Sequence, residues 1–300
     1  MLVPGTRSIV DVPLAEALAL TSVALSLRPP REAVHYEAVV CWESYANGDY
    51  RTSTVTKHIA LGGRLLEDGD CELDIRTTVP VLAKPEDLES LEALALRLAP
   101  LYARVVVQAA PTGQLVALRN HDALLHTWEQ LARDLRESAA AEDRITPTLV
   151  NFVSEQLQSP AKVVQSLRHD YLYAALVPDF YAQPLGGAVP RTQEFSQFFD
   201  KLPLWFSERV EVFSAATGDD RTVVRRGKLD TQQTDVAAIR GLMAAVVGPA
   251  ADPVVAPHFH YEATHVLDRH TGLPQRVDLT VYGRLADCYN KQYTLTLTRV

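Results

Sequence analysis

Cysteine is scarce. Three residues, Cys41, Cys71 and Cys288, are spread over 300 positions, too few and too far apart for a disulfide framework or a C-x-x-C zinc site. At least one has no partner within the chain, and Cys41 and Cys288 fall in expected strands, where a small apolar thiol fills core. Positive charge is also in deficit. Twenty-nine Lys and Arg against 37 Asp and Glu leave a net charge of -8 and a pI near 5.6, which excludes binding of nucleic acid through the overall field. The one local basic cluster, Arg225-Arg226-Gly227-Lys228, reads as a solvated turn. No apolar run reaches the roughly 18 residues of a membrane span. The leucine- and alanine-rich stretch from Val12 to Leu27 is interrupted by Glu16 and lacks the basic flank and small-residue cleavage site of an intact signal peptide. The chain as given therefore reads as soluble, and a periplasmic form with its leader already removed would read the same way. Missing too are a G-x-S-x-G elbow, a G-x-x-x-x-G-K-[ST] phosphate loop and a G-x-G-x-x-G after a strand.

What the chain has is apolar residues, 47% of the total, enough for a full core, and they alternate. Val277, Leu279 and Val281 oppose Asp278, Thr280 and Tyr282; Tyr293, Leu295 and Leu297 oppose Thr294, Thr296 and Thr298. With Phe259 to Leu267 these runs form an antiparallel meander of half-buried strands. The link Asp268-Arg269-His270-Thr271-Gly272-Leu273-Pro274 supplies a side-chain acceptor, a glycine free to take positive φ and a proline, so the chain reverses there.

Earlier, Thr21 to Leu27 and Val34 to Tyr45 read as strands. Asn47-Gly48 forms a tight hairpin turn, Tyr50 to Leu61 returns with Thr52, Thr54 and Thr56 outside, Gly62-Gly63 closes that strand, and Cys71 to Val79 follows. Pro85-Glu86-Asp87 opens a helix with a Leu88, Leu91, Leu94, Leu98 stripe. A hairpin turning at Pro111-Thr112-Gly113 leads to Asn120, an expected cap for a helix burying Leu124, Trp128, Leu131 and Leu135. Thr146-Pro147 and Ser159-Pro160 start two more helices. Strands return from Trp205 to Ser214 and Arg221 to Leu229, and Thr234 is the expected cap of a last helix to Val247. This order, strands then helices then strands, predicts an α+β fold: a curved antiparallel sheet, half-barrel-like, with helices packed on one face and both chain ends in one sheet. A segment over 1–20 and a single domain over 21–300 are the expected organisation. The tetrapeptide His-Tyr-Glu-Ala occurs at 35–38 and again at 260–263, each time beginning a strand.

Two constellations bear on function. His258-x-His260-x-Glu262 projects two imidazoles and a carboxylate to one face of a strand, a set able to ligate zinc or iron. The opposite face, Phe259, Tyr261 and Ala263, is the set a core would take, leaving the histidines on the wetter side. His121, Asp122, His126, His169 and Asp170 can be assembled into acid/base pairs, although Asp122 already has a structural reason to stand at a helix N-terminus. The second constellation is aromatic. Tyr171, Tyr173, Phe180, Tyr181, Phe195, Phe198, Phe199, Trp205 and Phe206 crowd a stretch broken by prolines and glycines, which admits two readings: core that a long loop packs into, or a mobile wall over the concave apolar side of the sheet.

The Asp268, Thr271, Gly272, Leu273, Pro274 hairpin, the turns Asn47-Gly48 and Thr112-Gly113, and the order of elements from about Thr21 to Val300 resemble the half-barrel of periplasmic lipoprotein carriers and related bacterial lipoproteins. The absent leader departs from that family. The resemblance implies a curved sheet around an apolar hollow that binds an acyl chain or another hydrophobic ligand, without a cofactor, and it carries over no specific binding residue. The functional expectation is thus a non-catalytic binding or carrier protein for a hydrophobic small molecule, a lipid or a protein partner. The alternative is a metal-dependent enzyme centred on His258, His260 and Glu262.

Overall fold

A computed structural model describes residues 18–19, 23–46, 48–83, 96–138, 145–182, 184–185, 191–199, 202–214, 220–247, 257–285 and 289–300. The strands are β1 (Leu18–Ala19), β2 (Val23–Ala24), β3 (Val34–Ala46), β4 (Asp49–Leu65), β5 (Cys71–Thr77), β6 (Val81–Leu82), β7 (Arg104–Ala109) and β8 (Leu115–Leu118). Helices α1 (His121–Ser138), α2 (Ile145–Leu157), α3 (Pro160–His169) and α4 (Tyr171–Leu176) follow. Strands resume as β9 (Pro184–Leu185), β10 (Arg191–Phe199), β11 (Leu202–Ser214) and β12 (Asp220–Leu229). Helix α5 (Val236–Val247) then precedes the closing meander β13 (His258–Asp268), β14 (Pro274–Leu285) and β15 (Tyr289–Arg299).

One antiparallel sheet runs in the order β1-β11-β12-β13-β14-β15-β3-β4-β5-β7-β8, with β10 also on β11 and β6 also on β4. It is open and curved, an α+β half-barrel-like architecture. The seam that joins the two ends of the chain is the pairing of β15 with β3, from Tyr289↔Ala46 to Arg299↔Tyr36. Side chains directly opposite one another share a face, so the register carries a continuous inner row across four strands: Tyr261, Val281, Tyr293 and Trp42. The outer face is polar. Arg226 bridges Glu211 and Glu262 at 3.0 Å each, and Asp74 holds Arg76 and Arg104. Among the described residues no helix is long and apolar enough to cross a membrane.

Local chemistry explains the turns. The Asp268 carboxylate accepts from the backbone of His270 and Thr271 and from the Thr271 hydroxyl, while Gly272 takes φ +72 with its Cα against the Ser26 carbonyl, where a Cβ would sit 2.2 Å away. Only glycine fits there. At the first hairpin, Gly48 has φ +95 and Ala46 pairs with Asp49, as the short turn requires; Asn47 lies outside the described residues.

Four expectations need correction. β4 does not stop at Gly62-Gly63 but passes through both to Leu65, paired with β5 throughout. Among the described residues of the expected strand from Thr21 to Leu27, Val23–Ala24 pairs with β9 and the strand ends there; the chain after it is fixed by Ala182 N donating to Leu25 O and Arg28 N to Thr271 O. Asn120 spends its side chain on β7, accepting from Val106 N and donating to Arg104 O. Asp235, not Thr234, accepts from the first turn of α5, because the Thr234 hydroxyl is engaged with both backbone groups of Trp205. Ser159 does cap α3 through Lys162 N, whereas Thr146 lies just inside α2. The helix expected at Pro85 falls mostly outside the described residues.

Candidate functional site

The aromatic segment is ordered by its ends. Asp170 caps α4, its carboxylate accepting from Leu172 N and Tyr173 N. Beyond the helix the chain is tied down by Tyr181 N donating to Thr112 O and the Tyr181 hydroxyl donating to Gly272 O at 2.9 Å. The segment is not one regular element: after α4 it contributes β9, forms β10 and enters β11, with Pro178 between elements, Pro184 in β9 and Pro203 inside β11. Tyr171, Tyr173, Phe180, Tyr181, Phe195, Phe198 and Phe206 are buried; Trp205 is half-buried; Phe199 ends β10 and its side chain lies outside the described residues. The buried rings touch in sequence: Tyr171 to Phe195 at 5.3 Å, Phe195 to Tyr261 at 4.8 Å, and Phe180 edge-on to His265 at 5.2 Å. Phe198 is fully enclosed against Trp42 and Phe259.

Set into this apolar layer is a polar row that composition did not reveal. Glu208, Gly227 and Tyr261 are register partners on β11, β12 and β13. Because Gly227 has no side chain, the Tyr261 ring lies across it, where a Cβ would be 2.1 Å from Cε1, and the phenol donates to Glu208 on the far strand. The next inward position of β12 is Arg225, whose Nε donates to Glu208 and whose Nη2 donates to Gln193 Oε1 at 2.8 Å. The pair is deep, with side chains 11% and 3% exposed for Arg225 and Glu208. Burial alone would lower the Arg225 pKa, but the Glu208 charge beside it holds it above its ordinary value. Burial, aided by Arg225, pushes the His265 imidazole down to about 3, so it is neutral at physiological pH. The reading of Arg225-Arg226-Gly227-Lys228 as a solvated turn is therefore corrected. It is a strand in which Arg225 and Gly227 face inward and Arg226 and Lys228 face water.

Between α4 and this row lies a cavity of about 120 Å³. Its floor is sheet: Phe195, Arg225, Tyr261, Ala263, His265 and Leu279. Its roof is Tyr171, Tyr173 and Ala174 of α4 with Leu167 of α3, and Gln114, Arg168, His169 and Glu194 also line it. Two of the lining residues, Tyr171 and His265, end in buried polar atoms, Oη and Nδ1, with no hydrogen-bond partner. Of the nine aromatic residues singled out in the sequence, Tyr171, Tyr173 and Phe195 line the cavity; Phe180, Tyr181, Phe198 and Phe206 pack in the core around it.

The metal constellation is not assembled. His258 and His260 are neighbours, ring centroids 5.2 Å apart, but His260 leans on Tyr282 and Glu262 is engaged by Arg226 at 3.0 Å. Among the described residues no three His, Cys, Asp or Glu side chains come together as metal ligands would. The acid/base candidates are likewise dispersed: His121 Nε2 meets Leu157 O, His126 meets Gln130, and Asp170 is a helix cap. Burial among tyrosines raises the Asp170 pKa although some of the residue stays exposed.

No family model and no curated protein matches the chain. Among solved structures, the MucA/MucB complex of Pseudomonas aeruginosa aligns over 88% of this chain and 89% of that one at 10% identity, with a TM-score of 0.14. MucB in complex with MucA(peri) aligns over 88% and 89% at 11% identity, with a TM-score of 0.11. Likenesses at these scores carry no argument, and the functional reading rests on the geometry above.

Proposed function

We propose that this is a non-catalytic binding protein, organised as a single domain over residues 21–300, which holds a hydrophobic ligand between α4 and the concave face of the sheet. The observation that carries this is the cavity lined by Tyr171, Tyr173, Phe195 and Leu279. Well-packed cores leave few voids larger than a water molecule, and a cavity of this kind, mostly apolar with a few convergent polar groups, is what ligand sites look like. Its size limits what enters. Apolar cavities of about 150 Å³ accept benzene, so 120 Å³ fits a compact ring or branched group, whereas a long acyl chain would require α4 to move.

Toluene and dodecanoate, each titrated into the full chain and followed by melting temperature, test the reading. Toluene is expected to raise the melting temperature by mass action, and Ala263→Leu, which places bulk in the cavity floor, is expected to abolish the response. A larger response to dodecanoate would favour a long-chain carrier, and no response to either ligand would sink the pocket.

A further inference from the structure

Arg225 has hydrogen-bond donors to spare beside the cavity. Its Nε donates to Glu208 and its Nη2 to Gln193 Oε1 at 2.8 Å, and among the described residues Nη1 donates to none. Nη1 is not sealed from water either. The enclosed side-chain nitrogens and oxygens that lack a partner among the described residues belong to Tyr36, Tyr171, His260 and His265, and the Arg225 side chain keeps 11% of its surface accessible. Its bonds set the direction of that access. Glu208, which takes Nε, lies outside the cavity lining, whereas Gln193, which takes Nη2, and Tyr261 are part of it. The Nε edge of the guanidinium is thus turned away from the cavity and the Nη edge toward it.

Stability gives no reason for a cation here, since replacing a buried ion pair by apolar side chains of similar volume is often neutral or stabilising. The chemistry of an occupant follows from what the guanidinium offers. It is a donor only and stays charged, so its partner presents an acceptor. Glu208 already balances the charge, and a carboxylate would bring a second negative charge into a site that is neutral as a whole, after losing its own hydration. The polar groups next to Arg225 are engaged: the Tyr261 hydroxyl donates to Glu208, and Gln193 Nε2 donates to Glu194 O at 3.0 Å. A ligand hydroxyl that accepts from Nη1 still has its own hydrogen to place, whereas a carbonyl only accepts and leaves no donor unpaired.

Resting on the pocket reading above, we propose that the cavity selects compact neutral ketones, with the apolar body against Phe195 and Leu279 and the carbonyl oxygen accepting from Arg225 Nη1. Cyclohexanone, methylcyclohexane and pentanoate form a matched set that separates this proposal from the reading beneath it. Methylcyclohexane puts a methyl group where the ketone has its oxygen, and pentanoate carries a carboxylate on a body of similar size.

Titration of the full chain, read by ligand-observed NMR, gives the three affinities in the parent and in a variant carrying Arg225→Met together with Glu208→Leu, which removes the donor along with the charge that balances it. The ratio of cyclohexanone to methylcyclohexane affinity should fall about tenfold in that variant, the worth of roughly one hydrogen bond to a charged group, and pentanoate should bind the parent more weakly than cyclohexanone. If the variant fails to fold, the infrared carbonyl stretch of cyclohexanone bound to the parent decides: it should lie at lower frequency than in hexane, because accepting a hydrogen bond weakens the C=O bond. An unchanged ratio, or a stretch at its hexane position, overturns the role of Arg225 and leaves the apolar pocket standing. Pentanoate binding tightest overturns the neutrality argument. Binding of none of the three overturns both readings.

Discussion

The tetrapeptide His-Tyr-Glu-Ala stands on β3 and again on β13, and its two tyrosines end in opposite situations. Both rings point inward and both are buried, Tyr36 at 0% and Tyr261 at 2% exposure. Tyr36 has Ile59 as its register partner on β4, so an aliphatic side chain fills the space beside it and its hydroxyl finds no partner. Tyr261 has Gly227, and across that gap its hydroxyl reaches Glu208. The four letters are identical; the neighbour on the next strand decides whether the phenol is a packed ring or part of a polar network. The β3 side of the sheet is accordingly lined by Ile59, Leu61, Leu73 and Ile75, while the β13 side carries Glu208, Arg225 and His265 beside the cavity.

The sharpest way to break this contrast is to strip the polar side of one charge. Arg225→Met leaves Glu208 buried without its cation and should cost about 3–5 kcal/mol, whereas adding Glu208→Leu should recover most of that loss. Urea unfolding of the single and double variants measures both. A single variant as stable as the parent would show that the pair contributes no more than a surface bridge.

Acid comes next. The unfolded His265 takes up a proton below its ordinary 6.5, but the folded one only near 3. Between those values the unfolded state binds more protons, so stability rises with pH across that window and is lost as pH falls. The stabilisation is fully present above 6.5, and about 2 kcal/mol should disappear between pH 7 and pH 5. His265→Gln should flatten that part of the pH profile of the urea midpoint, and an unchanged slope would mean that other groups set it.

The smallest effect is the most direct comparison. Tyr261→Phe removes a hydrogen bond to a carboxylate and should cost about 1.5 kcal/mol, while Tyr36→Phe removes a hydroxyl with nothing to bond and should be neutral or slightly stabilising. Equal losses at the two sites, read from thermal melts, would erase the distinction drawn here.

Much of the fold was legible because period-2 alternation needs no tertiary information. Val277, Leu279 and Val281, or Tyr293, Leu295 and Leu297, can take only one face each, and the turn at Asp268 and Gly272 fixes how they follow one another. The site was legible only in part. Tyr171, Tyr173 and Phe195 were found because aromatic crowding shows in a linear text, but so were Phe198 and Phe206, which are core, and nothing in composition separates cavity wall from core. Glu208, Arg225 and His265 were missed because their meaning is a matter of register. Arg225 next to Arg226 looks like a solvated cluster until strand alternation is applied and Glu208 is brought opposite Gly227. The signal was already present in the expected strand from Arg221 to Leu229: alternation along it sends Arg225 and Gly227 to one face and Arg226 and Lys228 to the other.

The β15–β3 seam has a consequence for how the molecule is made. During synthesis β3 and β4 can pair as soon as both have emerged, but the other edge of β3 has no partner until residues 289–299 are complete. More than two hundred residues must be added while that edge stays open. Pairings of such long sequence separation form slowly, because chain-closure entropy is lost before contacts are gained, and an unpaired strand edge invites other chains. Production of this protein should therefore be limited by the waiting time of one strand edge, and shielding the nascent β3 edge should raise the yield of folded protein more than any gain in final stability.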